Sequence, residues 1–149
     1  MRIAIGSDHG GFILKSELLK HIQSKGYEIK DFGCYSAASI DYPDVAREVA
    51  ESVVKGEYDR GILVCGTGIG ISIAANKIPG IRAALCGDCF SAKASREHNN
   101  ANILALGERV IGVGLAKMIT DIWLATEFEG GRHEGRVNKI SDIECRYNK

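Results

Sequence analysis

Short apolar runs alternate with amphipathic stretches from one end of the chain to the other, and few folds accept that order. Arg2 to Gly6 reads as a strand. Phe12 to Lys25 reads as a helix, because Leu14, Leu18, Leu19 and Ile22 recur at helical spacing and Gly26 can supply a left-handed stop. Tyr27 to Phe32 is a second strand, and a polar loop around Ser36 and Ser39 leads to Asp41-Tyr42-Pro43, a helix start. Val45, Val49, Ala50 and Val53 form the buried stripe of that helix, which stops at Gly56. Arg60 to Val64, Ile81 to Cys86 and Ile103 to Leu106 are further strands. Ile71 to Lys77, Phe90 to Glu97 and a stretch carrying Leu115, Met118, Ile119, Ile122 and Trp123 are further helices. This repeat predicts an α/β fold: a doubly wound (Rossmann-like), open, parallel five-stranded sheet with helices on both faces and right-handed crossovers. Beyond Glu127 the pattern breaks. Gly130 to Arg136 reads as a polar loop, and Val137 to Tyr147 as a C-terminal helical extension.

A chain of 149 residues can bury about 70% of its unfolded surface, so residues 1–149 are expected to form one domain with a real core. The 19 basic and 19 acidic residues balance, and no Lys/Arg run marks a nucleic-acid footprint. Nothing approaches the ~18 apolar residues of a membrane span, and Met1 to Gly6 opens a strand rather than a signal peptide, so a cytoplasmic protein is expected. Five cysteines, an odd number, argue against a disulfide framework and for free thiols. Cys86 and Cys89 have C-x-x-C spacing, which suits a redox pair or half a zinc site. No second C-x-x-C and no His pair at finger spacing accompanies them, which favours a strand end followed by a helix start.

Cys65-Gly66-Thr67-Gly68-Ile69-Gly70 lies between an apolar strand and a helix and places a thiol and a hydroxyl beside unhindered backbone amides. Such a βα turn suits an anion, and the same field favours the thiolate of a nucleophile or base. Two other readings stand beside it: a tight packing turn, and a dinucleotide loop with Asp88 on the ribose. The spacing is G-x-G-x-G rather than G-x-G-x-x-G, which weakens the second.

In open parallel sheets ligands gather at the carboxyl ends of the strands. Ser7-Asp8-His9-Gly10-Gly11 follows the first strand, Cys65 and Thr67 follow the third, and His98-Asn99-Asn100 sits just before the fifth. The reading puts all of them at one active edge, although Asp8 and His98 also suit helix capping. Arg132 and Arg136, four apart in a glycine-flanked segment, could grip one phosphate or form a solvated face, and Arg109 is a further candidate. An acid, two histidines, a thiol and several arginines suggest proton transfer on a small phosphorylated molecule.

Taken together, Gly6-Ser7-Asp8-His9-Gly10-Gly11, Cys65 to Gly70, Arg96-Glu97-His98-Asn99-Asn100-Ala101-Asn102 and Gly131-Arg132-His133-Glu134-Gly135-Arg136 resemble the type B ribose-5-phosphate isomerases over essentially the whole chain. The wider family includes allose-6-phosphate and galactose-6-phosphate isomerases. The resemblance implies aldose-ketose isomerisation through a cis-enediolate, with Cys65 as the base at C2 and His98, with Asp8, opening the sugar ring. Thr67 and the amides of Gly66, Gly68, Ile69 and Gly70 would stabilise the oxyanion. Asn99 would bind sugar hydroxyls, and His9, Arg109, Arg132 and Arg136 the phosphate. It further implies no metal or organic cofactor, and a homodimer or tetramer in which His98 and Asn99 complete the site of the neighbouring chain.

Overall fold

The computed structural model describes residues 1–148. Five parallel strands, β1 (Arg2–Ser7), β2 (Glu28–Asp31), β3 (Arg60–Cys65), β4 (Ala83–Leu85) and β5 (Ile103–Gly107), stand in the order β2-β1-β3-β5-β4. The helices are α1 (Phe12–Ser24), α2 (Tyr42–Val54), α3 (Ile69–Ala75), α4 (Cys89–Glu97), α5 (Val113–Ala125) and α6 (Arg132–Tyr147). The expected α/β sheet with helices on both faces is what the chain forms. Successive residues of a strand point to opposite faces, and the two cores follow that period. Ile3, Ile5, Ile62, Val64, Leu104 and Leu106 meet α1, α4 and α5 on one face. Ala4, Leu63, Cys65, Ile103 and Ala105 meet α2 and α3 on the other. Each fully buried Ile, Leu or Val contributes roughly 1.5–3 kcal/mol by leaving water.

Besides shifts of one residue at element ends, the structure departs from the sequence expectation at β4, α3 and the start of α6. β4 is shorter than Ile81–Cys86, because the N–H of Arg82 donates to the Asn102 side chain (2.8 Å) instead of joining the ladder. α3 begins at Ile69, directly out of the glycine loop. The polar loop expected from Gly130 to Arg136 ends at Gly131. Gly130 and Gly131 take positive φ, the N–H groups of His133 and Glu134 donate to their carbonyls, and α6 starts at Arg132. Buried His133 and Val137, four apart, give this helix an inward face despite its high polarity.

Two tight features set the carboxyl edge of the sheet. Lys15 of α1 is fully buried, and its Nζ donates to both Asp31 oxygens (2.8 and 3.0 Å) and to the Cys34 carbonyl. That ties the end of β2 to α1, and the Gly33–Cys34 segment in turn exchanges backbone hydrogen bonds with Ser7. A single 3-10 turn, His9–Gly11, then packs flat on β3, where a Cβ on Gly11 would lie 2.5 Å from the Val64 carbonyl oxygen. Gly11→Ala should therefore destabilise the protein by about 1–3 kcal/mol. Urea unfolding will check it, and an unchanged midpoint would show that the turn yields freely.

Candidate active site

The chain order turns at β1, with β2 on one side and β3 on the other, so a crevice opens at the carboxyl ends of β1 and β3. A cleft of about 390 Å³ lies there, lined by Asp8, Tyr42, Cys65, Gly66, Thr67, Ile69, Gly70 and Arg109. Cys65 ends β3 with its side chain toward α2 and α3, and only 5% of the residue is exposed. The N–H of Gly68 donates to its Sγ at 3.0 Å. Gly68 holds φ at +79°, and a Cβ there would lie 2.9 Å from the Leu106 carbonyl carbon, so this turn needs glycine. Thr67 Oγ1 accepts from the N–H of Ile69 at 3.2 Å. Of the five loop amides, those of Gly68 and Ile69 are thus engaged. Those of Gly66, Thr67 and Gly70 have no internal acceptor among the described residues.

Asp8 is a cap that also faces the cleft. Its Oδ1 caps the 3-10 turn by accepting from Gly10 N–H (2.9 Å), and the residue also lines the cleft. His9 is exposed, and its Nδ1 accepts from the N–H of Ile40 at 3.3 Å, which leaves the proton on Nε2 as an outward donor. Arg109 is placed by its own backbone, whose N–H donates to Gly66 O (3.0 Å), and its guanidinium lies over Gly66. Tyr42, the first residue of α2, closes the cleft over Gly70. In the sequence Tyr42 reads only as a helix start, and its one signal is its position between the cap residue Asp41 and Pro43.

His98, Asn99 and Asn100 do not share that edge. α4 begins at the carboxyl end of β4 and returns, so His98, its C-terminal cap, lies near the amino ends of the strands. β3 and β5 run in register from Gly61 with Ile103 to Cys65 with Gly107, and these four steps separate the two edges by about 13 Å. Arg96 holds this second cluster. Its guanidinium donates to Asn100 Oδ1 (3.1 Å), Ala101 O (2.5 Å) and Thr126 O (3.1 Å), and burial followed by the charge of Arg60 pushes its pKa down to about 10. The His98 ring stacks on His133 at a centroid distance of 4.4 Å, and His133 Nε2 lies 3.4 Å from Glu129 of the preceding loop. Arg132 and Arg136 extend from the same end of α6, exposed and one turn apart. The candidate residues thus form two groups. Asp8, His9, Cys65, Thr67 and Arg109 stand at one edge of the sheet, and His98, Asn99, Arg132 and Arg136 at the other.

Cys86 and Cys89 bracket the start of α4, where Asp88 is the N-cap and accepts from Ser91 N–H (2.7 Å). Burial raises the Cys86 thiol pKa, so the thiolate needed for redox or metal chemistry is disfavoured there.

A family model described as Ribose/Galactose Isomerase matches residues 3–140. The chain belongs to this family. It is 54% identical to ribose-5-phosphate isomerase B of Escherichia coli, over 99% of both chains. It is 47% identical to D-erythrulose-4-phosphate isomerase of Pectobacterium atrosepticum, over 97% of this chain and 95% of that one. The solved structure of Clostridium thermocellum ribose-5-phosphate isomerase B superimposes with a TM-score of 0.98 at 60% identity, covering 99% of each chain. The expected family and fold are therefore those of the chain. No helix among the described residues is long and apolar enough to cross a membrane.

Proposed function

We propose that the protein interconverts D-ribose 5-phosphate and D-ribulose 5-phosphate, that residues 1–149 act as one domain, and that it works in pentose phosphate metabolism in the cytoplasm. The observation that carries the reading is the floor of the cleft, where a nearly buried thiol sits among three amides without internal acceptors. A sugar carbonyl seated on those amides brings the neighbouring C–H to the sulphur. Cys65 takes the proton from C2, the C–H electron pair becomes the C1=C2 bond, and O1 gains the negative charge. The free amides and Thr67 hold that charge, at about 3 kcal/mol for a well-placed donor. The O2 proton passes to O1 as the double bond moves to C2=O2, and the proton held by Cys65 returns at C1. His98, with the free oxygen of Asp8, opens the furanose beforehand.

The separation of the two clusters supports a two-fold dimer. One chain presents Cys65, Asp8, His9, Thr67 and Arg109, and the other presents His98, Asn99, Arg132 and Arg136 across the cleft mouth, so that two equivalent composite sites form. His9, Arg109, Arg132 and Arg136 then surround the phosphate, and Asn99 binds hydroxyls. The partner also excludes water from an edge that one chain leaves open.

The similarity to a relative named for a four-carbon sugar phosphate makes substrate length the decisive test. Turnover is expected to be highest on ribose 5-phosphate when four-, five- and six-carbon aldose phosphates such as allose 6-phosphate are assayed side by side. Preference for another length would redefine the substrate, and phosphosugar binding without turnover of any would make the protein a sensor. Cys65→Ala should abolish solvent-deuterium incorporation at C2 while calorimetry still detects phosphosugar binding, because the thiol acts in the transition state. Near-normal exchange would remove it from the base role. Co-refolding equal amounts of Cys65→Ala and His98→Ala chains should restore about a quarter of the wild-type sites, since about half of the dimers are mixed and one site in each is intact. No recovery in dimers shown by mass spectrometry to be mixed would place both residues in one chain's site.

A further inference from the structure

The cluster beside His98 has a chemistry that isomerisation does not use. His98, Glu129 and His133 each offer a ligand atom, and the three atoms lie within 4.8 Å of one another. Two imidazoles and one carboxylate are a donor set that zinc accepts with a fourth position left open. Tetrahedral coordination with bonds near 2.0–2.1 Å puts neighbouring donor atoms roughly 3.3 Å apart. His133 Nε2 and Glu129 Oε2, at 3.4 Å, already have that spacing. We propose that His98, Glu129 and His133 form a binding site for a borderline divalent cation such as zinc, and that its occupation inhibits the enzyme by withdrawing His98 from the sugar.

The backbone around the cluster is fixed in a way that suits a shared ligand. The N–H of Glu129 donates to Glu97 O (3.1 Å), which ties the ligand-bearing loop to the end of α4 one residue before His98. The N–H of His133 donates to Gly130 O (3.0 Å), which sets the turn that carries Glu129 and His133 on one side. His133 is nearly buried and half of the Glu129 side chain is exposed, so an ion has a wall behind it and a path from solvent. The stacked rings lie within 17° of parallel, and their in-plane lone pairs do not yet converge. Binding therefore requires the half-buried His98 ring to tilt off His133 toward the ion. That movement is the source of inhibition: a metal-bound imidazole has its lone pair occupied and points away from the position it takes beside a sugar oxygen. A hard cation such as magnesium, which prefers oxygen donors and octahedral geometry, has no comparable claim on two imidazoles.

The inhibition rests on the proposed isomerase activity, whereas the ion binding does not, and two measurements separate them. Tag-free protein would be titrated with zinc chloride by calorimetry, alongside Glu129→Gln and His133→Asn chains whose folding is confirmed by circular dichroism. One zinc per chain is expected, with affinity lowered about tenfold or more in each variant and no comparable binding of magnesium. Isomerase activity, measured relative to each protein's own metal-free rate, should fall with zinc, return with a chelator and become correspondingly less zinc-sensitive in Glu129→Gln. Should His133→Asn fail to fold, the exposed Glu129 decides the question alone. Undiminished zinc affinity in Glu129→Gln would put the ion elsewhere, on the thiols foremost, and overturn the site. Zinc that binds here without slowing turnover would overturn the inhibitory role.

Discussion

The carboxyl end of β3 is touched backbone to backbone from two sides, by the 3-10 turn and by the end of β5, and the cleft depends on those contacts. A Cβ on Gly11 would strike the Val64 carbonyl, one on Gly10 would approach the Gly66 nitrogen to 3.2 Å, and one on Gly107 would come within 2.6 Å of the Thr67 backbone. Side chains there would hold the segments apart, and the floor around Cys65 would widen. The closeness lets the Gly68 amide reach the sulphur, and it keeps the turn that carries Asp8 over the same floor. Buried Lys15 reinforces the arrangement from beneath. An unpaired ammonium there would cost several kcal/mol, so Asp31 and the Cys34 carbonyl must stay where they are.

Much of this was legible in the order of residues. The βα alternation fixes the sheet, the alternate burial of β1, β3 and β5 follows from strand period, and the glycine loop declares itself by its thiol and small residues. The misreading of Gly130 to Arg136 arose because glycine and charge count as loop signals, whereas His133 and Val137 supply an inward face that only the tertiary structure reveals. The apparent gathering of His98 with Cys65 failed for a topological reason. A residue just before a strand lies at its amino end, and chemical suitability says nothing about which edge it occupies. Tyr42 is not legible as a cleft residue because a helix-start position says nothing of a ring that lies over Gly70.

Dividing the candidate residues between two edges gives the fold a particular economy of parts. The glycine-rich edge carries backbone donors, a thiol and Arg109 on short, tightly packed loops, while the opposite edge carries the exposed Arg132 and Arg136 in the first turns of α6. The first set depends on close packing and the second on reach. Arg96 belongs to neither. It is a buried cation whose hydrogen bonds go to Asn100, Ala101 and Thr126, so its effect on the His98 cluster is exerted through the backbone it clamps.

The same guanidinium lies over the ring of Trp123, at 5.8 Å from the centroid, with Arg60 also within 5.5 Å. Trp123 is the only tryptophan in the chain and is fully buried, with no acceptor for its Nε1 among the described residues. The protein therefore contains its own optical probe at the root of the turn that carries His98 and Asn99. Its emission belongs to one buried indole close to two cations, and any event that loosens the Arg96 clamp changes that environment. Intrinsic fluorescence can thus follow the order of this turn in the unlabelled protein, separately from events at the thiol edge of the sheet.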